Sequence, residues 1–153
     1  MAVRFSTGLR NNMLSASGIR ETFTNGVLKL YSGVQPTSAD GAISGALLLE
    51  VTVDGLPFTP GSATNGLNFD VPVSAVLSKA AAETWKGAGI AAGTVGWGRL
   101  QANAVDDDTE STTLPRIDMA VAKTGADLNI SNTGIVIGAP TTIDVLNIAM
   151  AES

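Results

Sequence analysis

From residue 27 onward the chain alternates apolar and polar positions in short runs. Val27-Leu28-Lys29-Leu30-Tyr31 puts Val27, Lys29 and Tyr31 on one face and the two leucines on the other, the period-two spacing of a strand. The run at 47–53, LLLEVTV, is also strand-like and stops at Asp54-Gly55, a strong turn signal. The same reading predicts strands over 67–73, 76–81, 83–86, 94–101, 117–122, 127–130, 134–137 and 142–150. Segments rich in turn formers separate them, among them PFTPGSATNG, KGAGIAAGTVG, VDDDTESTTLP and SNT. In the final run Ile143, Val145, Asn147 and Ala149 share one side, and Asp144, Leu146, Ile148 and Met150 the other. Neither side is purely polar, which predicts a strand covered on both faces or lying at an interface.

Before residue 27 the period changes. Ser6 or Thr7 is placed to cap a short helix carrying Leu9, Met13 and Leu14 on one face. Ser17 is placed to cap a second, with Ile19 and Phe23 four apart, and Gly26 stands where a helix-ending glycine belongs. Helices this short need a surface to dock on. The fold expected from these patterns is mainly β, a jelly-roll-like β-sandwich with short N-terminal helices. One domain covers 1–153, with 1–26 helical and 27–153 forming the β core.

The stretch at 30–53, LYSGVQPTSADGAISGALLLEVTV, reads as strand, long polar connection, strand. Pro36 is suited to start a single helical turn, after which Gly41 and Gly45 release the chain into the next strand. Such a loop is ordinarily surface, although loops also carry function.

Composition narrows the function classes. The 153 residues are 44% hydrophobic and 15% charged, and the mean hydropathy is +0.25. This is the balance of a globular chain with a charge-poor surface, the kind that neighbouring subunits cover. Nine basic and fourteen acidic residues leave a net charge of −5, and no basic cluster is present to neutralise phosphates, so no direct nucleic-acid partner is expected. With no cysteine there is neither a disulfide framework nor a thiolate metal site. No stretch has the apolar core of a secretory signal or the length of a membrane span; we expect synthesis in the cytoplasm and no membrane partner.

Histidine is absent as well, which removes the Ser-His-Asp, Cys-His and HExxH constellations. Carboxylate chemistry remains, with Glu21, Glu50, Asp54, Asp70, Glu83, Asp118, Asp127 and Asp144 available. They read as solvated surface or strand-edge charges. The densest acidic run, Asp106-Asp107-Asp108-Thr109-Glu110, lacks the ligand spacing and central glycine of a calcium loop and reads as a solvated hairpin tip. In GAGIAAGTVGWG (87–98), Gly87, Gly89 and Gly93 miss the dinucleotide spacing and lead into a strand, so the segment reads as a hairpin. Its glycines would serve φ > 0 or close backbone approach. Trp85 and Trp97 flank it as a candidate cross-strand pair. No catalytic, cofactor-binding or metal residue is expected.

Three segments carry a resemblance: LKLYSGVQPTSADGAISGALL, VLSKAAAETWKGAGIAAGTVGWGRL and LPRIDMAVAKTGADLNISNTGIVIGAPTTIDVLNIAMA. Together with the STGLRNNML opening, they resemble small virion proteins encoded in the head and tail modules of tailed bacteriophages and prophages, most of all capsid decoration (cement) proteins. The resemblance implies a structural, non-enzymatic protein of the virion, assembled in the host cytoplasm on the capsid surface. Its partners would be the major capsid protein and other copies of itself. The segment before Gly26 and the 30–53 connection are the parts expected to clasp neighbours. A tail-tube or tail-surface subunit is the alternative within the virion. A carbohydrate-binding host-attachment module using Tyr31, Trp85 or Trp97 is the alternative of another class.

Overall fold

The structure, a computed structural model, describes residues 3–152. Met1, Ala2 and Ser153, which belong to the domain expected over 1–153, lie outside the described residues. Among the described residues two helices and eleven strands are formed. The helices are α1 (Thr7–Ser15) and α2 (Ile19–Thr22). The strands are β1 (Arg4–Phe5), β2 (Val27–Ser32), β3 (Leu47–Val51), β4 (Val76–Ser78), β5 (Trp85–Ala88), β6 (Gly93–Gln101), β7 (Arg116–Ala122), β8 (Leu128–Asn129), β9 (Gly134–Ile135), β10 (Pro140–Ile143) and β11 (Asn147–Ala149). The chain is thus mainly β, with short N-terminal helices as the periodicity predicts.

Ser6 caps α1 by accepting the Leu9 N–H. The same hydroxyl donates to Leu114 O and accepts Arg116 N–H, which pins the helix start to β7. Leu9 is buried and Met13 half-buried, but Leu14 is 87% exposed, so the helix buries a narrower stripe than expected. Gly18, not Ser17, is the N-cap of α2, and no side chain bonds there. Ile19 and Phe23 are buried as their spacing predicts. Asn25, not Gly26, takes the left-handed position after α2, at φ 56°. Gly26 is required for a different reason: a Cβ there would stand 2.5 Å from Gln101 O.

The largest sheet has the order β1-β7-β6-β2-β3, with β8 parallel to β7 and β9 antiparallel to β6. β5 pairs with β10, and β4 with β11, as two small antiparallel ribbons. Single bridges, Thr52 to Lys86 and Leu49 to Gly89, join β5 to the β3 side of the large sheet. Leu28, Leu100, Ile117 and Phe5 stand in one cross-strand row, and Leu30, Gly98 and Met119 in the next. These rows form the apolar face. Trp85, Phe69, Leu77, Ile143 and Ile148 join the same buried cluster from the ribbons and their connections.

Several sequence expectations change here. The run 67–73 does not become a strand and touches its neighbours through single bridges at Leu67, Phe69 and Val73. The run 142–150 divides into β10 and β11 because the chain leaves β5 and turns to β4. Its buried residues are therefore Ile143, Leu146 and Ile148, which breaks the strict alternation. The glycine-rich segment 87–98 is not a hairpin: β5 pairs with β10 while β6 pairs with β2, β7 and β9, so the segment carries the chain from one sheet to another. Its glycines do permit close approach. A Cβ would lie 2.1 Å from Glu50 O at Gly87, 2.2 Å from Val136 O at Gly89 and 1.9 Å from Gly33 O at Gly96.

Candidate functional site

The second face of the large sheet is polar and yet covered. Its cross-strand rows are Lys29-Arg99-Asp118-Arg4, Val27-Gln101-Arg116 and Tyr31-Trp97-Ala120. The β2–β3 connection, 33–46, and the β6–β7 connection, 102–115, lie over these rows. Arg99 grips Asp118 with two bonds, Nε to Oδ1 at 2.7 Å and Nη2 to Oδ2 at 2.9 Å, and both side chains are fully buried. Nη2 of Arg99 also donates to Gly41 O at 2.9 Å. Arg116, likewise buried, binds Asp106 through Nε at 2.7 Å and Nη2 at 2.6 Å, and donates to Thr109 O. Asp108 receives Lys29 Nζ at 3.1 Å, the Tyr31 hydroxyl at 2.9 Å and Gln101 Nε2 at 2.6 Å.

The two connections also bind each other, Ile43 N–H to Asp108 O and Ser111 N–H to Asp40 O. Asp40 accepts the N–H and hydroxyl of Thr7, tying α1 to the same unit. This places the 30–53 stretch. It is a clasp over its own sheet, with Trp97 Nε1 bonded to Ser44 O. Residues 39–40 form a turn, and the helical turn expected after Pro36 does not appear. Gly45 is needed at φ 81°, where a Cβ would meet Ser32 O at 2.0 Å.

The acidic run is no solvated hairpin tip. Asp106 and Asp108 turn inward onto Arg116, Arg99 and Lys29, while Asp107 stays outside as the anchor of a short turn with Thr109. Asp108 sits at φ 64°, a conformation that aspartate tolerates better than most residues. One cation on or just before each of three predicted strands, Lys29, Arg99 and Arg116, with an acidic run between the last two, was the available signal. Buried and beside Asp108, the Tyr31 hydroxyl is pushed well above its ordinary value. Tyr31 is the one tyrosine of the chain, so an alkaline titration should show no tyrosinate absorbance until the protein unfolds. In the unfolded chain it ionises near pH ~10, so stability should fall by about 1.4 kcal/mol per pH unit above that point. A smooth tyrosinate titration near pH 10 in the folded protein contradicts this.

The other carboxylates are dispersed. Glu50 accepts Phe58 N–H, Asp70 accepts Ala81 N–H and Asp127 accepts Ala120 N–H. Glu83 accepts Asn68 N–H, Asn68 Nδ2 and Trp85 Nε1. Asp54 accepts Leu56 N–H, the Thr52 hydroxyl and Asn65 Nδ2. Glu21 lies beside Arg20 at the surface, and Asp144 is exposed. Among the described residues, no three ligand-bearing side chains gather as a metal site. Trp85 and Trp97 do not pair with each other. Trp97 stacks on Tyr31, centroids 4.5 Å apart, and Trp85 meets Phe69 edge-on at 5.4 Å. All three of Tyr31, Trp85 and Trp97 are completely buried and present no ring face to a sugar.

The surface also carries aliphatic patches. A groove of about 400 Å³ lies between the helices and the β4–β11 ribbon, lined by Met13, Ile19, Val71, Leu77, Ile148 and Met150 with Arg20 and Glu21 at its rim. Val71, Val73 and Met150 are 69%, 71% and 48% exposed around it. The turn beside it, Val73 to Val76, places Ser74 and Ala75 at φ 51° and 61°, the primed geometry that matches strand twist. A second apolar hollow, near 260 Å³, lies between Leu56 and Ile90, and Ile137 adjoins it through the bridge to Gly89. The chain matches no protein-family model, no curated protein and no solved structure with which it was compared.

Proposed function

We propose that the protein is a non-enzymatic structural component of a tailed-bacteriophage virion, a capsid decoration (cement) protein that binds the major capsid protein and other copies of itself on the shell. The observation that carries this reading is the exposed aliphatic surface. Arg99, Arg116, Asp118 and the two tryptophans are turned inward, while among the described residues eleven large aliphatic side chains stand between 48% and 87% exposed. Where these groups gather, Val71, Val73 and Met150 beside the groove and Leu56, Ile90 and Ile137 beside the second hollow, they form apolar patches of the kind that mark protein–protein contact. The YSGVQP turn, the SKAAAETWKG segment and the GADLNISNTGIVIGAPTTID segment support the same assignment by resemblance. A jelly-roll-like sandwich is part of the proposal. The ribbons and the large sheet contribute to one buried cluster, as two packed layers would.

The segment before Gly26 and the 30–53 connection bond within the chain through Ser6, Asp40 and Ser44 and still present Leu14 and Val34 outward, so they stand with the other aliphatic patches as contact surfaces. Expanded heads of the parent phage, prepared with and without this protein, provide the test. Heads that carry it should resist heat and internal pressure better, and equal resistance would remove the reading. Purified protein that forms stacked rings alone would move it from the shell to the tail.

A further inference from the structure

The chain contains two asparagine–glycine pairs, Asn25-Gly26 and Asn65-Gly66, and the fold brings them face to face. Asn25 Oδ1 accepts the Gly66 N–H at 2.7 Å. Its Nδ2 donates to Ala63 O, and its own N–H donates to Asn68 Oδ1 at 2.9 Å. One asparagine therefore holds both ends of the 63–68 segment. Asn65 looks the other way. Its Nδ2 is shared among Asp54 Oδ1 at 2.9 Å, Leu56 O at 3.2 Å and Pro57 O at 3.3 Å, at the root of a loop whose residues 59–62 are exposed.

An asparagine followed by glycine can lose its amide spontaneously. The following backbone nitrogen gives up its proton and attacks the side-chain Cγ, forming a five-membered imide and expelling ammonia. Water then opens the ring to aspartate or isoaspartate, so the balance is asparagine plus water giving the acid plus ammonia. Glycine as the next residue leaves that nitrogen unhindered. The step requires a nitrogen free of its hydrogen bond and a side chain free to swing. At Asn25 both conditions fail deep in the structure, because the buried Gly26 N–H is held by Phe23 O and Leu67 O. At Asn65 the restraints are lighter: the buried Gly66 N–H has one hydrogen bond, to Asn25, and the Asn65 amide is held only through Nδ2 by exposed contacts.

We infer that Asn65 is a spontaneous deamidation site, kept closed by the Asn25 side chain, and that its conversion unfastens the 54–63 loop. The chemistry of the product explains the second part. An aspartate at 65 would set a carboxylate against the Asp54 carboxylate and two carbonyl oxygens, four acceptors with no donor among them. Asp54 is already held below the usual carboxylate range by the Leu56 N–H and Asn65, so it stands there as an anion. The loop so released carries Phe58 and Ala63, which cover Val27. The same site thus records the age of the molecule and, once converted, uncovers apolar surface beside β2.

The test follows the full chain in mildly alkaline buffer by peptide mass mapping and amide exchange. Wild type should convert slowly, and at Asn65 before Asn25. The Asn25→Gly variant keeps the left-handed backbone at no steric cost and removes the guard, and conversion at Asn65 should accelerate roughly tenfold, the scale of one lost hydrogen bond to a partly buried group. Protection of β6 must stay unchanged in that variant. A rise accompanied by loss of β6 protection reports general unfolding and overturns the local guard, as does an unaltered rate. Asn65→Asp should exchange faster across 54–63 while Asn65→Gln does not convert; an unchanged 54–63 segment in Asn65→Asp overturns the unfastening. Conversion that begins at Asn25 in the wild type overturns the site itself.

Discussion

Asp118→Asn should destabilise the protein by about 3 kcal/mol, the lower end of the cost of breaking a buried ion pair, because Arg99 keeps its longer contact to Asp108. Arg99 and Asp118 have no exposed side-chain surface. Burial raises the Asp118 carboxyl above its ordinary value, with Arg99 partly offsetting it, and removing that carboxylate leaves the guanidinium with Trp97, Gly41 O and the longer contact to Asp108 at 3.6 Å. Denaturant unfolding should show the loss as a lower midpoint with an unchanged slope. The loss should also loosen the clasp, since Arg99 and Arg116 share Gly41 O and Asp108 links both connections to the sheet. Replacing both partners, Arg99→Met with Asp118→Leu, should recover most of the stability, because apolar residues of similar volume replace buried ion pairs at little net cost. If Asp118→Asn leaves the midpoint within about 0.5 kcal/mol of wild type, the buried network is not what holds the connections down.

Trp85→Ala should cost about 3–5 kcal/mol, for a different reason. Trp85 pairs with Ile143 across the β5–β10 ribbon, packs edge-on against Phe69, and donates its Nε1 to Glu83 at 2.8 Å. It is the largest side chain that the ribbons contribute to the shared core, so its removal leaves a cavity between sheet and ribbon and takes one donor from Glu83. Calorimetry should register a drop in melting temperature on the order of 10 °C for a chain of this size. Trp85→Phe should lose far less, since it keeps most of the buried volume. Equal losses for the alanine and phenylalanine variants would show that the Glu83 hydrogen bond, and not packing, is the larger contribution.

Local chemistry foretold much of this architecture. The Ser6 cap and the buried Ile19 and Phe23 follow from short-range rules. So do the faces of β2 and the turn at Asp54-Gly55, where the glycine sits at φ 79°. Other features were hidden by the same rules. Leu146 is buried and Val145 exposed, where cover on both faces was expected, because β10 and β11 pair with different partners, and pairing partners are a long-range property. Trp97 and Trp85 look like a pair across a glycine-rich hairpin, yet they end in separate clusters because β5 and β6 join different sheets.

The order of residues alone determined most strand positions, 67–73 excepted, the turn at Asp54-Gly55, and that Val27, Lys29 and Tyr31 oppose Leu28 and Leu30, since side-chain alternation is a property of the extended backbone itself. Tertiary structure decided what covers the polar face. Whether Asp106 and Asp108 meet water or the guanidinium groups of Arg116 and Arg99 depends on how a loop folds back over strands seven or more residues away. Only there does the loss of hydration find its compensation in paired charges and hydrogen bonds.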